Sequence, residues 1–169
     1  MMTKINRDDI LDRIIYSHYL EKIYSTALGR LDKLISVLLL IFGSAIILNG
    51  NPVLFGIFVA VLAAIQSTYQ FGKKSGESNR KAFDYQKLYT IEAKYDDADL
   101  MDRMLELENT DSKPWSWLEP IAVLKSQIRV GVSKDKQKNL IGKLSYSEFF
   151  AASPSVGFNF LILLLTLEP

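Results

Sequence analysis

Cysteine is missing from the chain, which excludes disulfides, thiolate zinc sites and a cysteine nucleophile, and fits a reducing compartment. Histidine occurs once, at His18, without an acidic cluster beside it, so it reads as a surface or packing residue rather than a ligand or base. Charge of one sign is also missing in bulk: the net charge is +1, and no field argues for nucleic acid as a partner. None of the spacings G-x-x-x-x-G-K-[ST], G-x-S-x-G, H-E-x-x-H or paired cysteines occurs. No catalytic residue, cofactor or metal is therefore assigned, and a non-enzymatic role is expected.

The most informative absence is local. Charged residues make up 23% of the 169-residue chain, yet none occurs from Leu34 to Phe71. The segment reads LISVLLLIFGSAIIL, then NGNP, then VLFGIFVAVLAAIQSTYQF. A membrane-spanning helix takes about 20 mostly apolar residues, with a range of roughly 17–25. Each arm lies near the short end. Ala27, Leu28 and Leu31 extend the first arm, with Arg30 and Lys33 reaching outward. Asn49-Gly50-Asn51-Pro52 combines residues that tolerate left-handed geometry with a proline suited to starting a helix. A buried hairpin of a water-soluble protein would show a polar stripe, and neither arm has one before Gln66. The pattern predicts an all-α chain organised around a transmembrane helical hairpin over 34–71.

Flanking charge sets the expected orientation. Lys4, Arg7, Arg13, Lys22, Arg30 and Lys33 precede the hairpin, and Lys73, Lys74, Arg80 and Lys81 follow it. The turn has no basic residue, so both flanks are expected in the cytoplasm, with the N-terminus cytoplasmic and a multi-pass inner (plasma) membrane location. A cleavable signal peptide fits poorly, because Asp8, Asp9 and Asp12 occupy the region that should be basic.

Residues 1–33 are expected to form an amphipathic N-terminal helix, since Ile10/Leu11, Ile14/Ile15, Tyr19/Leu20, Ile23/Tyr24 and Ala27/Leu28 recur at helical spacing. Thr3 to Asp9 supply the polar start. Tyr16, Tyr19 and Tyr24 have the amphipathic shape favoured at headgroup level, as do Trp115 and Trp117 further on. These five are the candidate interface anchors, with packing into the cytoplasmic helices open as the alternative.

In the second arm, Gly56, Ala60, Ala64, Thr68 and Gly72 fall at four-residue intervals and form a small-residue groove for close helix packing. Two uses remain open: the groove receives the first arm through Gly43 and Ser44, or it builds a homo-oligomer. Gln66, Ser67 and Thr68 are candidate pore-lining residues in an assembly, or mark where the helix leaves hydrocarbon. Two helices from one chain cannot enclose a pore, so a channel requires several copies.

Residues 72–130 are expected as a cytoplasmic helical region. Asp96, Asp97 and Asp99 are helix-start acids, because the spacing, glycine and terminal glutamate of a calcium loop are absent. Residues 131–169 read as a linker and a hydrophobic C-terminal segment. The linker is basic and suited to anionic headgroups. Phe149 to Leu167 is a third span, a re-entrant segment or an interfacial helix, with interfacial or cytoplasmic packing favoured.

The layout of an N-terminal helix, a short-turn hairpin and the long charged helix of AIQSTYQFGKKSGESNRKAFDYQKLYTIEAKY resembles the SLATT domains. KPWSWLEPIAVLKSQI is similar to the proline-containing helix that follows there. The resemblance covers Ile10 to Val130. It implies a two-helix membrane effector of bacterial nucleotide-signalling immunity that assembles into membrane-disrupting pores, with sensing supplied by a partner protein. The tail from Phe149 departs from that pattern. A non-conducting scaffold, or an exclusion protein acting through a membrane partner, is the other expectation.

Overall fold

A computed structural model of the chain describes residues 6–47 and 51–131. Thr3 and Lys4, Asn49-Gly50 of the expected turn, the linker beyond Gly131 and the segment from Phe149 to Leu167 lie outside the described residues. Among the described residues every regular element is helical. Helix α1 runs Arg7–Ile47, α2 Pro52–Tyr69, α3 Phe71–Thr90, α4 Asp97–Glu108 and α5 Glu119–Val130, with short 3₁₀ turns at Glu92–Lys94 and Ser116–Leu118.

The helix ends follow local chemistry. Asn6 opens α1, its side-chain oxygen accepting from the Asp8 N–H. Asn51 caps α2, accepting from the N–H groups of Val53 and Leu54 at 3.2 Å each, and Pro52 takes the first turn, where no N–H is needed. Asp96 caps α4 through the Asp99 N–H at 2.8 Å, which bears out the helix-start reading of these acids. Gly131 ends α5 at φ +87°, a conformation that favours glycine.

Two features differ from the pattern of the sequence. Helix α1 is a single element of 41 residues, about 60 Å long, that runs without interruption past Lys33. The second apolar arm, by contrast, does not continue smoothly into the charged helix. Gln70 adopts the left-handed conformation, φ 48° and ψ 47°, and separates α2 from α3. Across that break the Gln70 N–H reaches the Gln66 carbonyl and the Lys74 N–H reaches the Gln70 carbonyl.

The chain divides into two compact units, one comprising Met1–Tyr24 with Ser78–Pro169 and the other Ser25–Glu77. The first is a helical body with a conventional core. Ile10, Ile14, Tyr85, Leu88, Leu100 and Met104 are buried together, with Leu11, Tyr89, Tyr95, Met101 and Leu107 packed against them. Arg7 ties the start of α1 to the α3–α4 corner. Its guanidinium donates to the Glu92 carboxylate and carbonyl, the Tyr95 carbonyl and Asp97 Oδ1. Arg13 pairs with Glu108 at 2.7 Å.

In the second unit α1 meets α2 and the start of α3 in antiparallel order. The Ser25 and Ser75 hydroxyls each donate to the other's carbonyl at 2.8 Å. Close approach here depends on glycine. A Cβ on Gly29 would lie 3.0 Å from Ser75 Oγ, and one on Gly72 would lie 3.1 Å from Asp32 Oδ2. Further along, Gln66 faces Asp32 and Ser36, and Phe42 stacks with Phe58 at 5.3 Å.

Candidate functional site

The apolar unit has a surface that water does not favour. No residue of α2 is buried. Leu40 on α1 and Val53 on α2 are exposed to 72% and 71%, and Leu34, Val37, Ile41, Leu54, Ile57, Phe58, Val61 and Ile65 are exposed as well. Monomeric soluble proteins rarely expose a contiguous apolar surface of this kind. The helical run Pro52–Thr90 contains a window long and apolar enough to cross a membrane, and none of that window is buried. At 1.5 Å per residue, the 18 residues of α2 rise about 27 Å, close to the ~30 Å hydrocarbon thickness of a bilayer. On α1 the uncharged stretch described, from Leu34 to Ile47, is shorter than a span by itself.

Three polar side chains of the apolar unit, Ser36, Ser44 and Gln66, find partners within it. Ser36 Oγ donates to the Asp32 carbonyl at 2.9 Å and Ser44 Oγ to the Leu40 carbonyl at 2.7 Å, so neither hydroxyl needs water. Gln66 Nε2 donates to Ser36 Oγ at 3.1 Å and to Asp32 Oδ1 at 3.3 Å.

The expected groove and lining residues separate in this arrangement. Gly72 belongs to α3 and faces Asp32. Gly56 has open space beyond its Cα, and Ala60, Ala64 and Thr68 are exposed. Gly43 also has open space and Ser44 bonds within its own helix. Of the three candidate lining residues, Gln66 is directed at α1, and Ser67 and Thr68 are exposed.

The candidate anchors separate too. Tyr24 is buried and meets Trp115 edge-on at 5.4 Å, and Trp115 stacks with Trp117 at 5.7 Å. Tyr16 and Tyr19 are half-buried, and Trp117 is exposed.

A second candidate site, in the helical body, is built from polar groups that the sequence does not advertise. Glu21 is 1% exposed. Its Oε1 accepts from the Ser112 N–H at 2.8 Å, its Oε2 from the Ser78 hydroxyl, and Ser78 also donates to the Glu21 carbonyl at 2.8 Å. Beside it the Tyr85 hydroxyl donates to Asp111 Oδ2 at 2.8 Å. Asp111 Oδ1 is buried without a hydrogen-bond partner. Lys81 Nζ donates to the Thr110 carbonyl.

These contacts fasten a strap, residues 109–115 between α4 and the 3₁₀ turn before α5, onto α1 and α3. Burial pushes the Asp111 carboxyl up to about 6, and Glu21 and Glu108 add to the rise against the opposing effects of Tyr85 and Lys81. Burial likewise raises the Tyr85 hydroxyl, with Asp111 adding to it. A register signal existed for Glu21, which lies seven residues from both Ile14 and Leu28 on the buried stripe of α1. No comparable pattern marks Asp111.

His18 is half-buried, with Nδ1 2.7 Å from the Ala82 carbonyl, and burial lowers its pKa. No set of three or more metal-ligating side chains occurs among the described residues. No protein-family model, curated protein or solved structure matches the chain.

Proposed function

We propose that the chain is an oligomeric inner-membrane effector whose hairpin inserts in the bilayer and, when reorganised by a signal, forms pores or disrupts the membrane in a cell-suicide or antiphage response. The observation that carries the membrane part is the exposure of α2, none of whose residues is buried although its stripe through Phe55, Val59, Leu62 and Gln66 is partly covered. Valine, leucine, isoleucine and phenylalanine side chains gain up to about 1.5–3 kcal/mol each on leaving water, less in proportion where they are partly covered, so a bilayer is the partner that this surface fits. Antiparallel contacts between α1 and α2 support a hairpin, and a hairpin puts both flanks on one side. Lys33, Lys73 and Lys74 beside the uncharged stretch support a cytoplasmic assignment for that side.

The oligomer part is supported by the open face at Gly56, Ala60 and Ala64, which α1 leaves uncovered. Defence enters through the resemblance to SLATT domains, and a sensor or signalling protein supplies the trigger in that reading. A signal shifts the resting arrangement only by as much as it binds the two states differently.

The second reading, a non-conducting scaffold or exclusion protein, is favoured by a specific contact. Gln66 is engaged with Ser36 and Asp32, which leaves Ser67 and Thr68 as the polar lining α2 has to offer.

Regulated expression with membrane-potential and dye-uptake measurements tests the leading reading. Potential collapses on activation if it is right. An intact potential, with a monomer or heterodimer in mild detergent, selects the scaffold instead.

A further inference from the structure

The strap at 109–115 is held mainly by two carboxyl side chains, and they are held unequally. Glu21 is enclosed and fully engaged, through the Ser112 N–H and Ser78. Asp111 has one oxygen bonded to the Tyr85 hydroxyl and the other buried with no partner. An ionised carboxylate in that position carries the cost of burial on an unpaired oxygen and faces a second acid.

The charged surroundings do not cancel this. From α1 comes Glu21, from α4 comes Glu108, and from α3 come Lys81 and the Tyr85 hydroxyl. Glu108 is itself paired with Arg13, and Lys81 donates to the Thr110 carbonyl rather than to the carboxylate. Lys113, on the strap, is exposed.

We propose that the strap is a proton-responsive clasp, which closes over Glu21 and Tyr85 when the Asp111 carboxyl is protonated and loosens when it is ionised. The sign follows from the raised affinity of the closed form for its proton, from the usual 3.8 to about 6. Acid favours closure, and the closed form weakens as pH rises through that interval and stays weakened above it. The interval from 3.8 to about 6 corresponds to at most about a 160-fold change in the closed-to-open ratio, and less after allowance for the exposed part of the residue. The inference rests on the helical body alone and does not require the membrane reading.

The molecule carries its own reporter. Its two tryptophans, Trp115 and Trp117, stand at the end of the strap, and Trp115 packs on buried Tyr24. The test is tryptophan emission of the full-length protein in detergent micelles, titrated across neutral and mildly acidic pH, together with hydrogen exchange at the Ser112 amide.

Emission is expected to shift with a midpoint between 3.8 and about 6, the protected form lying on the acid side. Asp111→Asn gives the closed spectrum throughout. Tyr85→Phe, which removes the donor to the carboxylate, moves the midpoint to higher pH. Glu21→Gln, which removes the facing acid, moves it lower. His18→Gln leaves it in place. A flat wild-type titration overturns the proposal, as does a midpoint that survives Asp111→Asn or disappears with His18→Gln. If Asp111→Asn does not fold, the opposite shifts of Tyr85→Phe and Glu21→Gln decide, and equal midpoints in both overturn it.

Discussion

Replacing Glu21 with alanine removes the acceptor that holds the strap backbone. The Ser112 N–H then has no partner in a half-buried place, which costs about 1–3 kcal/mol. The side chain also leaves a void at a residue 1% exposed, and the packing loss adds about 1 kcal/mol or more, depending on how far the neighbours collapse. Ser78 is spared, because its hydroxyl still reaches the residue 21 carbonyl. Together these terms put Glu21→Ala at roughly 2–4 kcal/mol. Glu21→Gln keeps the volume, an oxygen for the Ser112 N–H and an amide that Ser78 Oγ can accept from, so its cost is expected near 1 kcal/mol or below. Thermal unfolding in detergent reads the difference: each kcal/mol moves the midpoint by about 2–4 °C in a chain of this size. Hydrogen exchange at the Ser112 amide should accelerate by at least about tenfold in the alanine variant, since 1.4 kcal/mol is a factor of ten. If alanine and glutamine cost the same, the hydrogen-bond reasoning fails. If alanine costs nothing, the strap is not held there at all.

Further variants address other contacts. Gly72→Val sets a side chain against Asp32, where a Cβ already lies at 3.1 Å, and should destabilise by about 1–3 kcal/mol in a melting experiment, whereas Gly76→Ala, with open space beyond it, should not. Gln66→Leu removes the contacts to Ser36 and Asp32 and should cost about 1 kcal/mol by unfolding in detergent. Gly56→Leu and Ala60→Leu fall on the face α1 leaves open, so they should reduce oligomer size in light scattering while leaving the unfolding temperature of the helical body unchanged. His18 carries a lowered pKa from burial, so the unfolded chain binds its proton more readily. His18 therefore withdraws stability as pH falls below its ordinary 6.5, and a glutamine variant should lose that part of the acid dependence in melts at different pH.

Helices were legible where one periodicity governs many residues. The stripe through Ile10, Ile14 and Leu28 foretold the buried face of α1, and Asn51-Pro52 foretold the start of α2. The continuity of α1 past Lys33 was partly legible: Ala27, Leu28 and Leu31 join the first arm to the amphipathic stretch, although the change to uniformly apolar composition looks like a boundary that the backbone does not notice. The break at Gln70 was hidden for a different reason. Left-handed geometry is usually announced by glycine or asparagine, and glutamine announces nothing. Small residues at four-residue spacing do not name the neighbour they would meet: Gly72 lies beyond the break and faces Asp32, while Gly56 has open space. The strap cluster was largely silent. Glu21 shares the register of the buried stripe, but a glutamate there reads as a solvated charge until Ser78 and Ser112 are seen to enclose it. Asp111 owes its place to the path of a loop, which no local pattern encodes.

The left-handed conformation of Gln70 has one more implication. At the break the Gln70 N–H still serves the Gln66 carbonyl and the Lys74 N–H the Gln70 carbonyl, while the first N–H groups of α3 lack carbonyls of their own helix. Hydrocarbon does not tolerate such groups, because each missing partner costs several kcal/mol there. If α2 crosses a bilayer as proposed, the discontinuity is a depth mark written in peptide groups: water or another polar partner has to reach the peptide groups beside Gln70, whatever the charges on Lys73 and Lys74 would by themselves permit.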